Sequence, residues 1–204
     1  MDSTWTTSGR AFADAAEWFV ATAALADGRW AEPGLGEWDV RSLVGHTSRA
    51  LLTVETYLSR PAEVVEVEST AEYYRATRAL AAGPDVAARG RVAGEALGTD
   101  PAAAVAEIAA RVVPLVSPCD GTEVITTIAG GMRLADYLPT RTFELVVHTA
   151  DLAAALGLAS EPPSVPAEQA LGLVAQLAVT DGRATTLLRA ATGREALPPG
   201  FSVL

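Results

Sequence analysis

Histidine occurs twice in the chain, at His46 and His148, so a site that relies on imidazole can be assembled in very few ways. Around the second histidine the sequence runs Arg141-Thr142-Phe143-Glu144-Leu145-Val146-Val147-His148-Thr149-Ala150-Asp151-Leu152. Wound as a helix at about 100° per residue, it brings Arg141, Glu144, His148 and Asp151 into one arc of roughly 80°. Phe143, Leu145, Val146, Val147 and Leu152 cover most of the remaining circumference. A helix that is apolar nearly all round is a buried helix. A charged stripe on it must be paired, metal-bound or turned towards a cavity, because an uncompensated buried charge costs several kcal/mol.

Glu144 and His148, at i and i+4, are spaced to grip a single ion from one helix face. A third ligand has to come from another helix. His46 is the candidate, because it sits in a segment whose apolar residues Val40, Leu43, Val44, Leu51 and Leu52 turn inward. Two imidazoles and one carboxylate leave a fourth coordination position open, which is the catalytic rather than the structural arrangement for zinc. The same ligands suit nickel, iron or manganese. Such a site activates a bound water or thiol. The bland alternative is a core histidine bonded to Glu144 or Asp151, with Arg141 closing a buried ion-pair network, and spacing alone leaves both readings open.

The elements that would position these residues are helices. Apolar residues at helical spacing predict a first helix from Ser8, as N-cap, to Asp27. Asp39 is placed to cap a second helix that runs to about Ser59 and is ended by Pro61. A third helix is expected over 69–82, and a fourth, weakly patterned piece over 84–97 with Pro84 in its first turn. Asp100-Pro101 is a cap and first-turn pair for a fifth helix that Pro114 disturbs. The β-branched stretch 122–128 reads as a short strand, with Gly130-Gly131 as its turn. Helix resumes near Arg133 and reaches about Leu156, with Pro139 marking a kink or a fresh start. A Pro-rich linker at 160–166 precedes one last helix over 167–191 and a tail. The fold class is therefore all-α, an antiparallel bundle of four or five helices with a short strand signal. Residues 1–160 form the bundle, and 161–204 add a linker, helix and tail packed on it.

Composition narrows the function. In 204 residues, 50% are apolar and 20% charged, the formal net charge is −10, and all 15 basic residues are arginine, which speaks against a protein that tracks nucleic-acid phosphates. Charged residues interrupt every apolar run before it reaches the roughly 18 residues of a membrane span. The start, Met1-Asp2-Ser3-Thr4-Trp5, lacks the basic and apolar regions of a secretory signal, so a cytoplasmic location is expected. Cys119 is the single cysteine; it excludes an intrachain disulfide and multi-thiolate zinc sites and reads as a bystander thiol. Trp38, before the Asp39 cap, reads as a hydrophobic staple. Arg189 and Arg194 in the tail are cations that could meet a carboxylate or simply face solvent. The apolar fraction hints at a homodimer.

The segments Trp38-Asp39-Val40-Arg41-Ser42-Leu43-Val44-Gly45-His46 and Arg141 to Leu152 resemble the mycothiol-dependent maleylpyruvate isomerase family of the DinB-like superfamily. The resemblance runs through most of the chain, including the closing Thr192-Gly193-Arg194 and Pro199 to Leu204. It implies a DinB-like four-helix bundle with a mononuclear divalent metal, usually zinc, held by His46, Glu144 and His148. It further implies that the metal activates the thiol mycothiol for addition to, or isomerisation of, a small electrophilic acid. Arg141 and Asp151 would orient the ligands from behind. Only about 40 residues follow the linker, too few for the separate C-terminal domain of the family's isomerase, so the resemblance is to a short form: an isomerase, a thiol S-transferase, or a non-catalytic metal- or small-molecule-binding module.

Overall fold

The computed structural model describes residues 3–81 and 85–204; Pro84, the expected start of the fourth helix, lies outside them. Eight α-helices and one strand pair are present among the described residues: α1 (Ser3–Ala24), α2 (Val40–Leu58), α3 (Thr70–Ala81), α4 (Asp85–Ala96), α5 (Pro101–Val112), β1 (Val124–Thr127), β2 (Gly130–Arg133), α6 (Leu134–Ala155), α7 (Ser164–Thr180) and α8 (Ala184–Ala191). Four of these close a ring: α1 packs on α6, α6 on α2, α2 on α5 and α5 on α1. Phe12, Phe19, Leu43, Leu51, Leu138, Leu145 and Leu152 fill its centre with no exposure to solvent. This is an all-α bundle with a small antiparallel hairpin.

Local chemistry explains the helix starts. The Asp39 side chain accepts from the Ser42 amide at 2.7 Å and Asp100 from Ala103 at 3.0 Å, each satisfying an amide that the first turn leaves without a partner. After α5, Pro114 tightens the chain into a 3-10 turn over Val113–Val116. In α6 the helix runs unbroken through Pro139. Two carbonyls in the turn before the proline also accept from side chains: Thr70 Oγ1 donates to Asp136 O at 2.7 Å and Thr140 Oγ1 to Tyr137 O at 2.6 Å.

Three expectations about boundaries are corrected. Ser8 does not cap α1; it is buried inside a helix that starts by Ser3, and accepts from Gln169 Nε2 at 2.9 Å. The polar first turn hid that start, which is held by buried Trp5, whose indole donates to Cys119 O at 2.7 Å. Gly130-Gly131 belong to β2 and not to the turn. Here the 62–67 segment runs so close that a Cβ on Gly131 would stand 2.0 Å from Val64 O. The last helix is two: α7 begins at Ser164, and Gly182, at φ +69°, turns the chain before α8.

Outside the ring, α4 lies against α2 at backbone contact. A Cβ on Gly45 would fall 2.2 Å from Gly94 N, so neither helix could carry a larger residue there. Arg41 locks the pair, donating to the carbonyls of Gly94 and Gly98. α3 packs on α6, and α7 on α1 and α6. No helix among the described residues is long and apolar enough to cross a membrane.

Candidate metal centre

Asp39 sets where α2 begins, and two turns later His46 projects towards α6, where its ring meets that of His148 edge-on with centroids 4.9 Å apart. Buried Trp38 also packs against the His46 ring, at 4.4 Å and tilted by 34°. The Trp38 indole donates to Ala87 O at 3.0 Å. Trp38 is therefore a wall of the site that ties α4 to it, a contact the staple reading did not include.

From α6, Glu144 Oε2 stands 3.3 Å from His148 Nε2, and His148 Nδ1 lies 3.1 Å from Asp151 Oδ2. The stripe is not fully buried: the side chains of His148, Glu144 and Asp151 are 17%, 25% and 30% exposed. One ligand atom each from His46, Glu144 and His148 lies within 4.8 Å of the other two. A tetrahedral zinc site with bonds of 2.0–2.1 Å spaces its donors about 3.3–3.4 Å apart, so the His148–Glu144 separation already has that value. Nδ1 of His46 is buried with no hydrogen-bond partner, an unmet capacity that normally costs about 1–3 kcal/mol unless water or another group fills it.

Protonation follows from these contacts. Burial, then the neighbouring His148, hold His46 down at about 4, with Glu144 opposing. Burial alone would lower the pKa of His148, but hydrogen bonds and charge from Asp151 and Glu144 overcome it and push it up to about 9. Burial would raise Glu144, yet the His148 hydrogen bond and the positive charge of Arg141 bring it down to about 2. Without a metal, His148 is thus a cation clamped between two carboxylates. Its Nδ1 proton stays on the Asp151 side, which directs the Nε2 lone pair of the neutral ring towards Glu144.

Groups that the sequence reading had not singled out come from α3 and from the same face of α2. From α3, the Tyr74 hydroxyl donates to Glu144 Oε1 at 2.8 Å and lies 3.2 Å from Thr140 O. Arg141 does not touch the ligand atoms directly: its guanidinium lies over the rings of Tyr137 and Tyr73, at 5.1 and 5.6 Å. On α2, half-buried residues recur at His46, Arg49, Thr53 and Tyr57, helical spacing that the stripe argument used for α6 would have found.

A family model for the mycothiol maleylpyruvate isomerase N-terminal domain matches residues 11–153. The chain belongs to this family. No curated protein and no solved structure matches it. The span shared with the mycothiol maleylpyruvate isomerase N-terminal domain takes in both histidine segments and Arg141, Glu144 and Asp151, and stops before α7 and α8.

Other features lie apart from the chemistry. A surface hollow of about 430 Å³ is lined by Ala24, Asp27, Trp30 and residues 99–102, without imidazole or thiol. The Cys119 thiol donates to Leu115 O, and burial with nearby Glu123 pushes it up to about 11. In the tail, Arg189 pairs with Glu195 at 2.6 Å and Arg194 donates to Thr192 O at 3.4 Å.

Proposed function

We propose that this protein is a metal-dependent enzyme that activates a low-molecular-weight thiol, mycothiol, for addition to or isomerisation of a small electrophilic acid. His46, Glu144 and His148 hold one divalent ion, zinc in the first instance. The observation that carries the reading is the convergence of these three side chains, from two helices, to within 4.8 Å. The family match and the unsatisfied nitrogen of His46 support it.

When bound, the ion lowers the pKa of a coordinated thiol, supplying a thiolate at neutral pH. The chain's own residues prepare for that. Asp151 fixes the His148 tautomer. Tyr74 occupies one oxygen of Glu144, leaving the other facing His148. Trp38 covers the His46 ring, limiting water on that side. Residues 161–204 act as an added layer on the same bundle, a reading supported by the packing of α7 on α1 and α6.

Metal analysis of protein purified without a histidine tag tests the proposal. One equivalent is expected in the wild type and well under one in His148→Ala. Incubation with mycothiol and a panel of electrophiles should then either consume thiol, for net addition, or convert the electrophile to its isomer with the thiol regenerated. A site that only braces the fold predicts instead that Glu144→Gln lowers the melting temperature while metal content never reaches stoichiometry. A binding module predicts bound metal and saturable ligand binding with neither adduct nor isomerised product.

A further inference from the structure

The groups of the triad are one end of a longer polar seam. His46 faces His148 at 4.9 Å and Tyr57 faces Tyr137 at 5.4 Å. Both residue steps, 46 to 57 on α2 and 148 to 137 on α6, are of equal length, so the two helices run antiparallel in constant register. That register puts Arg49 level with Glu144 and Leu145, and Thr53 level with Arg141. Between the triad and the tyrosine end, the seam thus carries two guanidinium groups.

Neither makes a close ion pair with a carboxylate among the described residues, although the charge of Arg141 reaches Glu144 one turn away. The hydrogen bond of the Arg141 guanidinium there is from Nε to Thr140 Oγ1, at 2.8 Å, which leaves its two terminal amino groups without a protein acceptor. The aromatic faces of Tyr137 and Tyr73 support the planar group from the side without satisfying its N–H donors. At the closed end, the hydroxyl of Tyr137 is fully buried beside Thr53. At the open side, Arg49 and Arg89 line a groove of about 440 Å³ with Asp85, Ala88 and Val92. In a chain of net charge −10, the half-buried guanidinium groups of Arg49 and Arg141, neither in an ion pair among the described residues, form a local positive field that attracts anions. Paired terminal N–H groups of a planar guanidinium match the two oxygens of a carboxylate.

We propose that Arg141, with Arg49 across the seam, is the carboxylate-recognition subsite that sets the specificity of this protein for anionic electrophiles and positions them beside the triad. This rests on the thiol-activation reading above and adds to it the residues that choose the substrate.

Maleate and its neutral diamide, maleamide, share a carbon skeleton and differ in charge, so calorimetric titration of each into zinc-loaded and zinc-stripped protein tests the inference. Maleate should bind the wild type at least tenfold more tightly than maleamide. Arg141→Gln should lose roughly tenfold or more of the maleate affinity while leaving maleamide unchanged. Arg141→Lys should recover part of the loss, and Arg49→Gln should show a smaller loss in the same direction. Circular dichroism checks each variant, and should Arg141→Gln fail to fold, Arg49→Gln and the wild-type pair of ligands still decide. Equal wild-type affinity for maleate and maleamide overturns the inference, as does maleate binding that depends on zinc and is untouched in both arginine variants. Protein that takes up no zinc yet discriminates maleate through Arg141 retains the subsite and removes the metal reading. Stoichiometric zinc without that discrimination does the reverse.

Discussion

Zinc uptake by this protein is expected to be a proton-exchange reaction. His148, pushed up to about 9 by Asp151 and Glu144, carries a proton at neutral pH and must release it before Nε2 can serve as a ligand. His46, held at about 4, and Glu144, at about 2, have already lost theirs. Between those limits one proton leaves for each ion bound, so the apparent affinity rises about tenfold per pH unit and levels off above the His148 value. At pH 7, below that value, proton competition weakens binding by roughly two orders of magnitude. Competition with a fluorescent chelator across the neutral range measures the slope, and calorimetry in two buffers of different ionisation enthalpy counts the proton. A pH-independent affinity, or no proton released, refutes the assignment of His148 as a protonated ligand.

The same groups set how the metal-free protein responds to pH. His148, raised from 6.5 to about 9 on folding, stabilises the fold fully below 6.5, and that contribution disappears as pH rises through 9. Glu144, lowered from 4.5 to about 2, contributes above 4.5 and is lost as pH falls through 2. His46, lowered from 6.5 to about 4, resists the proton that the unfolded chain accepts, so it destabilises increasingly as pH falls from 6.5 to 4. With respect to these three groups, melting of metal-free protein should be highest near pH 6.5, and an optimum above 9 would contradict the arrangement. Asp151→Ala removes the acceptor that orients His148 and should lower zinc affinity about 10- to 100-fold, read by chelator competition. Tyr74→Phe frees one Glu144 oxygen and should cost roughly tenfold in the same assay with its secondary structure intact. Gly45→Ala drives a methyl group into the backbone of Gly94 and should destabilise by about 3 kcal/mol in urea denaturation.

Much of the architecture was legible because its signals are local. Asp39 and Asp100 announce α2 and α5 through side-chain caps that need no tertiary partner. Scarcity made the candidate ligands legible: with two histidines, a stripe on α6 could be completed in one way, and the folded chain brings those residues together. What stayed hidden depends on contacts far apart in sequence. The start of α1 is held by Trp5 reaching Cys119. Paired glycines announce a turn, yet at 130–131 they serve the 62–67 segment that crosses β2. Tyr73 and Tyr74 reach the site only because α3 packs on α6.

The constant register of α2 against α6 makes the triad a gauge of tertiary order. A slip of one helical turn, about 5.4 Å, exceeds the 4.8 Å within which the three donors now gather. Damage to the interior at Leu51 or Leu138, both fully buried and neither itself a candidate ligand, would then surface as lost ion-holding capacity before helicity declines. Metal stoichiometry in a mutant library would report where the bundle begins to slide.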